Sequence, residues 1–371
     1  MIILITNRNL HVSPDDSPVV VAADKIGQHL GNKGIYCAHV LNSSADTINI
    51  YPQGQEQDLF NLISAADRRK PWVFFTHGNN QNTRKNIKKC KSIEDNHGAN
   101  VIAFSWPSQP YMEQDKFTKL IRKHAKRAAL YVLKLPVSFS GLGKDAVLLI
   151  KDYYVNYKQA QKNAVDSAPD LNSALQLTNR LLYRHLPANT KKVFLTHSLG
   201  HIVLQTFVES GYKLPTKFDN TILHQADADS DDHHKWVPEL LNKSANLYIT
   251  ANQYDFVLAS SRIANGEERL GQTKDFTIAK KVKYIDFSDG AWVYEDHNFF
   301  TDEAGDANDD IFALISRLLK GGADALPDKP YTSRNGFSRT VKSKQVYRLQ
   351  MILDPTGDGD SNDDEQFMPS L

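Results

Sequence analysis

The 371-residue sequence predicts a doubly wound α/β fold with a mostly parallel sheet and an inserted helical hairpin. Three observations predict it. Short runs rich in Val, Ile and Phe recur along the chain, several of them apolar at nearly every position, as parallel strands covered on both faces must be. Segments of helical periodicity separate many of these runs, which is the pattern of strand-helix-strand crossovers. One connection, between residues 106 and 168, is about sixty residues long, far above an ordinary one, and carries helical patterns of its own.

Taken in order, "MIILIT" at 1–6 is apolar from its second residue. It lacks a basic leader and a long apolar stretch, so it reads as a strand and not as a signal peptide. The strands "IYCAHVL" at 35–41, "WVFFTH" at 72–77 and "VIAFSW" at 101–106 follow, with a helix expected over 81–97. In the long connection, Phe117, Ile121, His124, Ala128 and Tyr131 recur at helical spacing beside Lys119, Arg122, Lys123, Lys126 and Arg127. That is a basic amphipathic helix. After Pro136 and "SFSGLG" a second helix, "KDAVLLIKDYYVNY", completes a hairpin inserted over residues 108–156. Two readings of it stand: a packed subdomain with a solvated charged face, or a lid over an active site that touches an anionic membrane surface. Then come a helix at 168–186, the strand "KVFLTH" at 192–197, a helix at 201–211, "TILHQA" at 221–226 and a helix at 233–243. The strands "NLYITA" at 246–251 and "VKYIDF" at 282–287 and a helix at 308–320 close the series.

The expected organisation is one domain over residues 1–325, interrupted by 108–156, and a polar C-terminal extension over 326–371 in which "VYRLQMIL" reads as a late strand. In the final "DPTGDGDSNDDE", Asp354, Thr356, Asp358, Gly359, Asp360, Asn362 and Glu365 fall at calcium-loop spacing. Pro355, Ser361 and the six residues left after Glu365 argue instead for a solvated acidic tail. Lys plus Arg is 44 and Asp plus Glu is 43, so net charge gives no argument for nucleic acid as a partner. Cys37 and Cys90 are too few for a disulfide framework or a Cys-only zinc site. No run reaches the length of a membrane span, and a cytoplasmic location is expected.

Chemistry concentrates at "FLTHSLGH", where a strand meets a helix at Ser198. An alcohol is a poor nucleophile near neutral pH and needs a base for its proton and donors for the oxyanion. A tight strand-to-helix turn projects the serine above the sheet edge and places the next N–H at a helix N-terminus. The turn requires small residues two before and two after the serine. Gly200 meets the second requirement; Thr196, bulkier than the usual glycine, departs from the first. "WVFFTHGNNQN" ends a strand in His77-Gly78-Asn79-Asn80, a loop able to present a backbone N–H to the same oxyanion, or else a plain turn in which Asn caps the helix. An acid and a histidine must follow the serine. Asp255 stands after the second strand beyond it and is favoured by that position over Asp227, Asp229 and Asp296. His297 follows the last strand, whereas His224, His233 and His234 come too early for a base. Arg262 and Arg269, in "SSRIANGEERLG", read as structural salt bridges holding the acid loop, or as partners for a substrate anion. The acidic and histidine-rich "ADADSDDHH" lacks the glycine and spacing of a metal loop and reads as polar surface.

The segments "FFTHGNN", "VIAFSWPS", "NAVDSAPDLNSALQL", "FLTHSLGH", "LHQADAD", "LYITANQYDFVLASSRIANGEERLG" and "EDHNFF" together resemble a family of α/β-hydrolases often labelled domain of unknown function 900. The resemblance covers roughly residues 70–320 apart from the insertion. That family usually reads Ala-His-Ser-Met-Gly at the elbow, so Thr196 and Leu199 are departures. The resemblance implies Ser198 as nucleophile, Asp255 as acid and His297 as base, with Asn79 and Leu199 supplying oxyanion N–H groups. The expected activity is hydrolysis of carboxylic esters through an acyl-enzyme, with no cofactor. The apolar runs "LYVLKL" and "AVLLI" tilt the expected substrate toward acyl or lipid esters, with peripheral membrane contact through 108–156. Amide or thioester cleavage by the same residues, and a binding module without turnover, are the alternatives.

Overall fold

The computed structural model of the chain describes residues 1–14, 17–41, 47–54, 57–108, 144–273, 275–290, 293, 296–299, 308–323, 326, 336–339 and 345–350. Their strands are β1 (Ile2–Thr6), β2 (Arg8–Leu10), β3 (Val19–Ala22), β4 (Ile26–Leu30), β5 (Tyr36–Val40), β6 (Thr47–Tyr51) and β7 (Trp72–Thr76). There follow β8 (Asn100–Ser105), β9 (Lys192–His197), β10 (Phe218–His224), β11 (Ser244–Ala251), β12 (Lys283–Asp289), β13 (Gly336–Arg339) and β14 (Val346–Gln350). Their helices are α1 (Gln57–Ala65), α2 (Thr83–His97), α3 (Lys144–Asp166), α4 (Ala168–His185), α5 (Gly200–Glu209), α6 (His233–Leu240), α7 (Phe256–Asn265) and α8 (Asp309–Leu319).

Twelve of the strands form one sheet in the order β13-β14-β12-β11-β10-β9-β7-β8-β1-β5-β6-β3. From β14 to β1 every neighbouring pair is parallel. The two edges are antiparallel: β13 against β14 on one side, and β5, β6 and β3 on the other. This is the mostly parallel, doubly wound sheet that the apolar runs predict, flanked by helices. The parallel strands bury both faces because their successive side chains enter two different cores. Ile3 and Ile5, Phe74, Ile102 and Phe104, and Phe194 pack with Tyr157, Leu175, Leu204 and Trp236 on the face carrying α1, α3, α4, α5 and α6. Ile2 and Leu4, Val73 and Phe75, Val101, and Val193 pack with Ile87, Cys90, Ile311 and Leu318 on the face carrying α2 and α8.

Local chemistry sets several helix ends. Asn82 caps α2 by accepting from Lys85 N–H (2.9 Å), and Gly98 ends it in the left-handed region. Asp255 caps α7, and Asn308 caps α8. The strands β3 and β6 and the helices α1 and α7 escape the periodicity reading. β3 is an edge strand with alternate residues exposed, and α1 and α7 are short. The first predicted helix of the insertion and the acidic tail lie outside the described residues. The second predicted helix opens α3, which runs past Tyr157 to Asp166. The late strand expected near the C-terminus is β14, and it continues the main sheet beside β12. Among the described residues no helix is long and apolar enough to cross a membrane.

Candidate active site

The C-terminal ends of parallel strands are where loops can meet outside a doubly wound sheet. Here β7 delivers His77 to Asn80, β9 delivers Ser198, β11 delivers Asp255 and β12 delivers the loop bearing His297. Those strands are near neighbours in the order β12-β11-β10-β9-β7, so residues far apart in the chain end on one rim.

Ser198 stands between β9 and α5 with φ of +53°, a conformation that non-glycine residues seldom adopt. It is almost wholly buried. Its N–H donates to His224 O (3.2 Å), while its carbonyl accepts from the N–H of Asp227 (3.2 Å) and from His201 Nδ1 (2.7 Å). These bonds fix the turn from both sides, so the strain is held by the surroundings. Gly200 allows it: a methyl group there would lie 2.7 Å from His77 O and 3.0 Å from Thr76 O. Thr196, the departure from the small-residue pattern, is buried within β9 opposite Thr76, and Ser198 keeps its left-handed turn beside it.

His297 donates from Nδ1 to Asp255 Oδ2 at 2.5 Å. Asp255 is fully buried, and burial pushes its carboxyl above the usual range while the neighbouring His297 pulls it back down. Its Oδ1 accepts from Leu258 N–H (3.0 Å) as the cap of α7. With the Gln225 amide oriented so that its nitrogen faces acceptors, it donates to the same carboxylate, 3.2 Å from Oδ2, and to Gly271 O at 2.7 Å. The other ring nitrogen of His297, Nε2, is buried and has no hydrogen-bond partner among the described residues. His297 is seated against the residue before the serine: His197 donates from Nε2 to His297 O (3.0 Å), and the two rings lie 4.7 Å apart. No hydrogen bond joins Ser198 Oγ to His297 Nε2 in this structure.

Gly78 faces the serine closely. A methyl group at Gly78 would stand 2.5 Å from Ser198 Cβ and 3.1 Å from its Oγ. The loop around it is held by bonds from His77 Nδ1 to Gly78 O (2.7 Å), from Trp106 Nε1 to His77 O (2.8 Å) and from Asn80 N–H to Asn79 Oδ1 (2.8 Å). The backbone N–H groups of Asn79 and Leu199 donate no hydrogen bond among the described residues. Leu199 is the N-cap of α5, and a helix N-terminus favours negative charge.

The competing acids are engaged elsewhere. Asp227 accepts from Tyr157 OH (2.8 Å) and from Ser261 Oγ, and lies 3.8 Å from Arg269 Nη1. Arg269, buried, also pairs with Glu267 at 3.3 Å, which is the structural role expected of it. Asp229 lies in the bridge to Arg269, and Asp296 caps Asn298 N–H (2.8 Å). Of the other histidines, His224 shares a hydrogen bond with Thr250 Oγ1 (2.8 Å), His233 meets Tyr284 OH (2.7 Å), and His234 is exposed. Gln225, His197 and His201 are site residues that sequence reasoning missed. The only signal was their place at the ends of strands and beside the serine. A separate cavity of about 400 Å³, lined by Cys37, Tyr51, Leu59, Leu177 and Arg180 among others, contains none of these residues. No group of three or more metal-binding side chains occurs among the described residues.

The sequence matches the model of a family described as alpha/beta hydrolase of unknown function (DUF900) over residues 53–289. No curated protein and no solved structure matches the chain.

Proposed function

The chain belongs to the DUF900 family of α/β-hydrolases, and we propose that it is a serine hydrolase cleaving carboxylic esters, with Ser198 as nucleophile, His297 as base and Asp255 as the acid that orients it. One observation carries this reading. A serine held at φ of +53° on a strand-to-helix turn shares a rim with a buried histidine whose Nδ1 is committed to a carboxylate and whose Nε2 is unengaged. That is the division of labour a general base needs.

In the proposed reaction His297 Nε2 takes the proton of Ser198 Oγ as the oxygen attacks the ester carbonyl carbon. The oxyanion accepts hydrogen bonds from the N–H groups of Leu199 and Asn79, which donate to no acceptor among the described residues. Asp255 stabilises the imidazolium through Nδ1. The imidazolium then protonates the leaving alcohol, and the ester oxygen departs. Water, deprotonated by the same nitrogen, attacks the acyl-enzyme and frees the acid. The missing Ser198–His297 bond is compatible with this sequence, because such bonds are often long before substrate arrives.

Acyl or lipid esters are the proposed substrate class. The apolar runs of the 108–156 insertion support it, as do Tyr154 and Val155 on α3, which are 47% and 56% exposed. The insertion is then a lid, with peripheral membrane contact through its basic helix. A panel of p-nitrophenyl esters of increasing chain length tests the reading. Turnover by the wild type and its loss in Ser198→Ala are expected. Equal hydrolysis by both proteins, or none by either at any chain length, contradicts it. Comparison of emulsified with dissolved esters tests the lid: a rate rise at the interface is expected, and equal rates contradict it.

A further inference from the structure

We propose that Arg8 is a positioning residue that braces the loop carrying Asn79 and supplies positive potential to the oxyanion formed at Ser198; this rests on the serine-hydrolase reading above. Arg8 is the first residue of β2, two residues beyond the end of β1, and is fully buried. It donates from Nη2 to Gln81 O (2.7 Å), from Nε to Ser105 Oγ (3.1 Å) and from Nη1 to Gly27 O (3.5 Å). All three acceptors are neutral, and no carboxylate pairs with it among the described residues. Burial alone lowers its affinity for its proton, to about 9, which leaves it a cation at neutral pH.

A buried arginine without a counter-charge is costly, and proteins ordinarily pair such a group. Its position suggests what offsets that cost. Gln81 lies two residues beyond Asn79, and it is clamped on its other side by Ser108 Oγ, which accepts from Gln81 N–H at 3.1 Å. The field of Arg8 reaches this loop, since it helps to keep His77 neutral after burial has already done so. The tetrahedral oxyanion proposed at Ser198 would bring negative charge to the Asn79 N–H of this loop. A fixed cation in a water-poor site then stabilises the transition state more than the neutral ester. Bracing alone would need only the hydrogen bonds; the proposal needs the charge as well.

Three variants separate the two. Arg8→Gln removes the charge, Arg8→Lys keeps the charge but not the fork of bonds, and Ser105→Asp sets a carboxylate against the guanidinium. Folding is checked by thermal melting. Ester kinetics and inhibition by phenylboronic acid, which forms an anionic tetrahedral adduct on an active serine, provide the readouts. Arg8→Gln is expected to lower kcat by about 10- to 100-fold with KM within about twofold, and to weaken the boronate to a similar extent. Arg8→Lys is expected to retain most of the boronate affinity. Ser105→Asp is expected to keep the melting temperature and lower kcat; it keeps the test available if Arg8→Gln does not fold. Folded Arg8→Gln or Ser105→Asp with wild-type kcat and boronate affinity overturns the proposal, as do equal losses in Arg8→Gln and Arg8→Lys. A wild type that neither cleaves esters nor binds the boronate marks failure of the hydrolase reading itself.

Discussion

Ser198 pays a conformational penalty of about 1–2 kcal/mol to hold its backbone in the left-handed region, and its neighbours make that conformation sterically possible. Gly78 and Gly200 are both at positions where a Cβ meets fixed atoms. Gly200→Ala presses on the carbonyl of His77, and a loss of about 1–3 kcal/mol is expected, read as a lowered melting temperature. Gly78→Ala presses on the serine itself, so its activity should fall further than its stability. An unchanged rate in Gly78→Ala would show that the loop does not abut the working serine. Asp255→Asn keeps the shape but holds the imidazole in the wrong tautomer, and a fall in kcat of about 10⁴-fold is expected in ester assays. Gln225→Leu removes one donor to Asp255 Oδ2 and should lower kcat by a smaller factor; wild-type kcat in that variant would leave Gln225 a purely structural residue.

The tie between α3 and α7 links the insertion's exit to the acid. Tyr157 on α3, Ser261 on α7 and Asp227 after β10 form one buried network, and Asn265 adds a bond to Tyr157 OH (3.1 Å). Because Asp255 caps α7, a shift of this helix moves the acid. Tyr157→Phe deprives Asp227 of a hydrogen bond, and a destabilisation of about 1–3 kcal/mol is expected in urea unfolding. No change in the unfolding midpoint would contradict the network's role. The turn from β9 to α5 was legible in sequence because a strand, a small residue and a helix pattern occur in unbroken order around Ser198. The tie was not, because it joins residues 157, 227 and 261, and side-chain bonds across such separations leave no period in the chain. For the same reason the choice between Asp227 and Asp255 rests on strand order: β10 lies beside β9, and β11 one strand further. The edge strand β3 was illegible because a short strand with alternate residues exposed differs little from a loop in composition.

The sheet draws its strands from Ile2 to Gln350, and the C-terminal segment builds one of its ends. Beyond β12 it is completed by β14, with Val346, Tyr347 and Leu349 buried and Arg348 paired to Asp286 at 2.9 Å. Truncation after residue 325 uncovers the edge of β12 and forfeits about 1.5–3 kcal/mol for each of those apolar side chains. A lower melting temperature and a rise in light scattering are expected; a truncated chain as stable and monodisperse as the full one would contradict this. The molecule also buries several neutral histidines. Burial holds His77, His197 and His224 well below the ordinary imidazole range and His201 down to about 3. The unfolded chain binds protons at these groups near pH 6.5 and the folded one does not, so their contribution is intact above that pH and is lost below it. The slope is about 1.4 kcal/mol per pH unit for each histidine, and urea midpoints should drop steeply between pH 6.5 and 5. Flat midpoints over that range would contradict neutral burial. The most direct test of the chemistry is covalent: treatment with a fluorophosphonate, followed by peptide mass mapping. An adduct on Ser198 alone, absent in Ser198→Ala and much slower to form in His297→Ala, is the predicted result. An unlabelled wild type, or labelling that ignores both substitutions, would contradict it.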